Sequence, residues 1–166
     1  ASALLIKEET IKKRLSRARK TISDKDIKFE IPIGENLLER RNKALAVIYL
    51  IFNEGFHSTN RDLLIREDLC AEAVRLTKLM TNHPTVCHPD VHALNGMICF
   101  HSARLDSKLN EKGEAISLKD QDRSMWNKEL IFLGSASMHE AMKTDQFSSY
   151  HYEAAIASEH VLATSF

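Results

Sequence analysis

The sequence predicts an all-α protein, a bundle of about six helices paired as antiparallel hairpins. Two observations carry that prediction. Only five glycines and three prolines occur in 166 residues, too few for the many turns of an all-β fold. Apolar residues also recur at three- and four-residue spacing along most of the chain, the period of a helix with one buried face. With 43% hydrophobic residues, the chain has enough apolar surface for one sizeable core.

The first helix is expected from Lys7 to Ile22, with Ile11, Leu15, Ala18 and Ile22 on one face and bases on the other. Residues 23–34 mix charges with Pro32 and Gly34, which reads as a linker and the best domain boundary. A second helix is expected from Glu35 to Glu54, closed by Gly55 as the left-handed residue after a helix. Its centre, Ala44 to Phe52, is apolar on nearly every side and should occupy the middle of the bundle. A third helix, Arg61 to Thr81, carries Leu64, Leu69, Ala73, Leu76 and Met80 as a stripe and stops at Asn82-His83-Pro84. A fourth runs from Pro89 to Leu105, and the turn Asn110-Glu-Lys-Gly113 then leads into a short extended segment at Ala115–Leu118. The fifth and sixth are expected at Asp122–Lys143 and Ser149–Ser165. The hairpins resemble tetratricopeptide stacking, although no 34-residue signature recurs.

The nine-residue run Ala44 to Phe52 is the longest apolar stretch, far short of the roughly 20 residues that cross a bilayer. No membrane partner is expected, and no export signal opens the chain. Cys70, Cys87 and Cys99 are an odd set without CxxC spacing, which fits a reducing, cytoplasmic compartment. The apolar entry Leu4-Leu5-Ile6 and the apolar run to Phe166 suggest a piece of a longer protein. Net charge is zero, yet residues 1–20 hold seven bases against two acids, a balance of +5 that leaves −5 on residues 21–166. A basic end on an acidic body points to a polyanionic partner for that end.

The first helix has the residue types that a groove-reading helix needs. In a helix-turn-helix, the second helix buries a narrow apolar face and turns bases and short polar groups to the major groove and phosphates. Ile11, Leu15 and Ala18 supply the apolar face, Lys12, Lys13, Ser16, Arg17 and Lys20 the outward one, and Arg14 and Arg19 the flanks. A plain solvated amphipathic helix would show the same pattern.

The wording Ile6-Lys-Glu-Glu-Thr-Ile-Lys-Lys-Arg-Leu-Ser-Arg-Ala-Arg-Lys-Thr-Ile22 resembles the recognition helix of extracytoplasmic-function sigma factors of bacterial RNA polymerase. There a Thr-Val/Ile-x-x-Arg-Leu-x-Arg-Ala-Arg pattern is typical, met here by Thr10, Ile11, Arg14, Leu15, Arg17, Ala18 and Arg19. The resemblance implies that Lys12, Lys13, Ser16 and Arg17 read the −35 promoter element; Lys13 stands where that family often has a small polar residue. Four further blocks, Ala46–Gly55, Arg66–Leu76, Asp120–Trp126 and Tyr150–Ala157, are similar to a subgroup with a long helical, tetratricopeptide-like C-terminal extension. The resemblance therefore implies three parts: residues 1–22 ending a promoter-reading helix-turn-helix, a linker at 23–34, and the extension at 35–166. It implies promoter DNA and core RNA polymerase as partners of the intact protein, a regulatory protein as a partner of the extension, and no cofactor. The missing parts are the domain for the −10 element, the start of the −35 reader and the later repeats.

The other candidates admit a sharp and a plain reading. His88 and His92, four residues apart, invite a metal, but Pro89 places His88 at the helix start and no third ligand is evident, so no metal is expected. Asp120 and Asp122 could form an acid and base pair; otherwise one of them caps the fifth helix while Arg123 pairs with a neighbouring helix and Trp126 anchors the core. Without a nucleophile or a phosphate loop, the second reading is favoured and no enzyme is expected. Asn53, Glu54 and Arg66, with Asp120, Asp122, Arg123 and Trp126, are expected to form inter-helix bonds and to line a groove. A helical scaffold or ligand-sensing module without DNA binding is the alternative, and a hydrolase or metal enzyme the third.

Overall fold

A computed structural model describes residues 4, 6–28, 30, 32–58 and 64–163. Among these residues the fold is all-α, with six α-helices of which α2 to α6 pack as a bundle: α1 Glu8–Asp24, α2 Glu35–Phe56, α3 Glu67–Thr81, α4 Pro89–Ser102, α5 Lys128–Ala141 and α6 Ser149–Leu162. No strand is present among the described residues; the expected extended segment is reduced to one bridge between Leu109 and Ala115, and Leu118 already begins a 3₁₀ turn. The expected starts of the third helix at Arg61 and the ends of the sixth at Ser165 and Phe166 lie outside the described residues, as does Leu5.

α4, rather than the second helix, is the centre of the bundle. It packs against α2, α3, α5 and α6. Val91, Ala93 to Phe100 and Ser102 are all buried, so hardly any side of α4 faces solvent. α2 buries only Leu45, Ile48, Phe52, Gly55 and Phe56, and Val47 stays 55% exposed. The unbroken apolar run of α2 therefore misled the sequence reading about position. What admits α4 to the centre is its small residues and the internal pairing of its polar ones. The Thr77 hydroxyl of α3 donates to Asn95 Oδ1 at 2.7 Å, and Asn95 Nδ2 donates to Ser137 Oγ of α5 at 2.7 Å. This relay across three helices satisfies groups that would each cost about 1–3 kcal/mol if buried unpaired.

Glycines set how closely the helices approach. A Cβ on Gly134 would lie 2.7 Å from Phe100 Cε1, so the fully buried Phe100 ring lies directly over the α5 backbone. Gly55 is not a left-handed residue after α2 but an interior position of that helix. Positive φ belongs instead to Gly34 (57°), Gly113 (77°) and Asp26 (43°). Gly55 is needed for space: an added Cβ would sit 2.8 Å from Cys70 Sγ and 3.0 Å from the Arg66 carbonyl oxygen at the start of α3.

Helix ends moved for identifiable reasons. α1 continues past Ile22 because Asp26, in the left-handed region, closes it: Asp26 N donates to Ser23 O at 3.2 Å and Ile27 N to Ile22 O at 3.1 Å. α5 begins at Lys128, not Asp122, because Asn127 caps it through Leu130 N at 3.0 Å. Gly55→Ala is expected to lower the unfolding free energy by about 1–3 kcal/mol despite alanine's better helix propensity, because neither the Arg66 carbonyl nor the buried Cys70 can retreat. Urea denaturation of wild type and variant measures it.

Candidate nucleic-acid interface

α1 buries none of its residues. Among the described residues little covers its apolar stripe: Leu15 is 52% and Ile22 44% exposed, and Ile11 is half-buried. Lys12, Lys13, Arg14, Ser16, Arg17, Arg19 and Lys20 are all exposed. Lys12 pairs with Glu8 at 2.7 Å and Lys13 with Glu9 at 3.5 Å, one helical turn apart. The Lys12 hydrogen bond holds the Glu8 carboxyl below its ordinary range. Such solvated pairs exchange readily for another anion. Of the seven, only Lys12 and Lys13 form ion pairs among the described residues.

The second group of candidate residues is structural. Arg66 pairs with Asp68 at 2.8 Å, and its backbone N–H donates to the Gly55 carbonyl at 2.8 Å, fastening α3 to the end of α2 beside Asn53 and Glu54. Asp120 accepts from Ser117 Oγ at 2.5 Å, and Asp122 accepts from Ser124 N at 2.9 Å; each holds a 3₁₀ turn, so neither caps α5. The Ser124 hydroxyl, then its backbone N–H, keeps the Asp122 carboxyl low. Arg123 donates to the His160 carbonyl at 2.8 Å and to the Ala163 carbonyl, covering the C-terminal end of α6. Its guanidinium also stacks 4.8 Å from the Trp126 ring, and buried Trp126 donates to Ser107 Oγ at 2.8 Å. His88 caps α4 by accepting from Asp90 N at 3.3 Å, and His92 Nε2 lies 3.2 Å from Cys87 Sγ. Among the described residues, no three His, Cys, Asp or Glu side chains are grouped to hold a metal ion.

One cluster escaped the sequence reading. His57 follows α2, His101 and Arg104 stand at the end of α4, and Lys108 lies just beyond; all gather at buried Phe56. Lys108 Nζ donates to the Phe56 carbonyl and sits 3.4 Å from its ring centroid; the Arg104 guanidinium is 5.5 Å from the same centroid. Arg104 also reaches His101 Nδ1 at 3.0 Å and Gln121 Oε1 at 3.4 Å. Burial, reinforced by Arg104, pushes His101 down to about 3 and Lys108 down to about 8. Burial, then Lys108, also lowers His57, and burial lowers Arg104. The spacing His101, Arg104, Lys108 was the available sequence signal, bases three and four residues apart across the end of α4 and the turn beyond it.

Between α2 and α3 an open groove of about 760 Å³ is lined by Val47, Ile51, Leu76, Leu79 and Met80, with Arg40 and Lys43 also in its wall. None of the described helices is long and apolar enough to cross a membrane.

A family described as one of unknown function, DUF6596, matches residues 40–142. An uncharacterized protein of Rhizobium meliloti strain 1021, R00370, is 31% identical over 164 residues, which is 98% of this chain and 38% of that relative. The chain thus spans well under half of the relative's length. No solved structure matches.

Two measurements check the structural assignments. Arg123→Met is expected to cost about 1.5–3 kcal/mol and to speed amide exchange selectively in the last turn of α6, because charged donors leave the His160 and Ala163 carbonyls. His101 has an ordinary value of 6.5 and a folded value of about 3, so between these pH values the unfolded chain binds the extra proton and stability falls as pH falls. Denaturation midpoints should decline less steeply from pH 6.5 to pH 3 in His101→Gln, which keeps an acceptor for Arg104 but cannot charge.

Proposed function

We propose that this chain, which belongs to the family of unknown function DUF6596, is part of a cytoplasmic alternative sigma factor that directs core RNA polymerase to a subset of promoters. In this reading residues 1–22 end the promoter-reading helix-turn-helix, residues 23–34 link, and residues 35–166 form a regulatory or protein-binding extension. The carrying observation is α1: a basic helix with every cation exposed and an apolar stripe that the described part of the chain leaves uncovered. A helix serving only as a strut of the bundle would bury that stripe. A helix built to lie between a neighbouring helix and a duplex needs both faces free. The match to the sigma-factor pattern at Thr10, Ile11, Arg14, Leu15, Arg17, Ala18 and Arg19 points the same way.

The work is positioning by charge and groove contact, with no covalent chemistry. Lys12, Lys13, Ser16 and Arg17 would meet base edges, while Arg14, Arg19 and Lys20 would meet phosphates. The α2–α3 groove supports the protein-binding role of the extension and equally favours the second reading, a helical scaffold whose basic helix has no part in its work.

The test uses the intact protein with core RNA polymerase on a promoter with a −35 element. Changing Lys12, Lys13 and Arg17 together to alanine is expected to abolish transcription without altering the helical signal, since all three are exposed. Arg14→Ala and Arg19→Ala should each weaken DNA binding at every sequence and reduce the salt slope by about 0.9. Transcription indifferent to the triple change would instead favour the scaffold.

A further inference from the structure

We propose that the cationic cluster at Phe56, with His57, Arg104 and Lys108 as its donors, binds an oxyanion group, a phosphate or carboxylate carried by a small molecule. The inference is independent of what α1 does.

Two segments distant in sequence converge there: the end of α2, and the end of α4 with the turn that follows it. Arg104 is 9% exposed, and Lys108 and His101 are partly buried. Every acceptor that these cations meet among the described residues is neutral: the Phe56 carbonyl, Gln121 Oε1 and His101 Nδ1. No carboxylate among the described residues forms an ion pair with either cation, although the protein carries 23 acidic residues for its 23 bases. Two like charges removed together from water are costly unless an opposite charge joins them. Proteins otherwise pair such cations or leave them at the surface, as this chain does with Lys12, Lys43, Arg75 and Lys143 at Glu8, Glu39, Glu72 and Glu140.

Donors remain for an occupant. Arg104 gives one N–H to Gln121 and one to His101, out of five. Lys108 gives one of three to Phe56. His57 is exposed and packs edge-on against Phe56 at 4.8 Å between centroids, which places it at the exposed edge of the cluster. Among the described residues, the remaining titratable groups facing the cluster are the Cys70 thiol, toward Lys108, and His160, toward His101. Neither supplies a negative charge at neutral pH, since burial raises Cys70 to about 11. An arginine fork beside a lysine and a histidine is a donor set suited to a small oxyanion. Its partly buried setting favours a small bearer over a polymeric backbone.

Trp126, the one tryptophan of the chain, provides the readout, because its Nε1 bonds Ser107 Oγ, which bonds the Gln121 amide oxygen held by Arg104. The full chain is titrated with sulfate, a tetrahedral oxyanion that does not titrate near neutral pH, and separately with acetate, each against chloride at matched ionic strength. A saturable change in Trp126 emission with sulfate assigns a phosphate-like ligand, and with acetate alone a carboxylate. Lys108→Met is expected to weaken binding roughly tenfold, the effect of losing one charged donor. Should that variant fold poorly, His57→Ala, which removes one N–H donor at the exposed rim, is expected to weaken binding severalfold. A change that does not saturate, that chloride reproduces, or that persists unaltered in both variants would overturn the site.

Discussion

The burial of α4 on nearly every side is the constraint from which the rest of the bundle follows. A helix with almost no solvent face needs neighbours all round, and α2, α3, α5 and α6 provide them. It also needs residues that let backbones approach and polar groups that find partners within the bundle. Gly96 against the Gly134 carbonyl, Phe100 over Gly134, and the Thr77–Asn95–Ser137 relay meet those demands. A larger residue at Gly134 or an unpaired group at Asn95 would be felt by several helices at once, because interiors packed to crystal-like density have little space to yield.

Helix ends impose the second constraint. The last carbonyls of each helix have no partner within it, and where such an end is buried a donor must come from elsewhere. The long connection between α4 and α5 supplies two of them. Lys108 closes the end of α2 and Arg123 the end of α6. His151 does similar work at the other end of α6: Nδ1 accepts from Ser148 N at 3.1 Å, which leaves Nε2–H to reach the Ala141 carbonyl at 3.1 Å. The connection therefore acts as a strap of short 3₁₀ turns that carries cations to partly buried helix termini. The cationic cluster at Phe56 follows from that arrangement, since Lys108 reaches its carbonyl through a site that Arg104 already occupies.

What could be read from the sequence divides along the same physical line. The existence of all six helices was legible because periodicity and breakers are local. The centre of the bundle was not. The apolar run of α2 has the higher hydropathy, whereas α4 is buried with His92, Asn95 and Gly96 in it, and only the partners of Asn95 on α3 and α5 explain why. Gly55 was recognised as special for the wrong reason, because a tight contact with α3 and a left-handed turn leave the same single letter in the sequence. The cations of α1 could be placed on faces because a helix alone fixes them. Arg104 and Lys108 could not, since charged residues are ordinarily exposed and the one that closes α2 lies 52 residues from the carbonyl it bonds.

The contrast between α1 and the bundle limits where a binding function can reside. In residues 35–163, most helical stability comes from tertiary packing. Among the described residues α1 has little to draw on: 17 residues, no buried side chain, two solvated ion pairs and a backbone closure at Asp26. A helix of that length is marginal in water by itself, so its free energy is set by whatever covers Ile11, Leu15 and Ile22 and whatever neutralises its outward cations. Both contacts would order the same turns, so each would lower the cost of forming the other. In the proposed reading the apolar contact comes from the remainder of the DNA-reading domain and the ionic contact from the duplex. Promoter affinity then depends on α1 being held as a helix as much as on the bases it meets, and this coupling would give the intact protein a means of control that requires no change within the bundle.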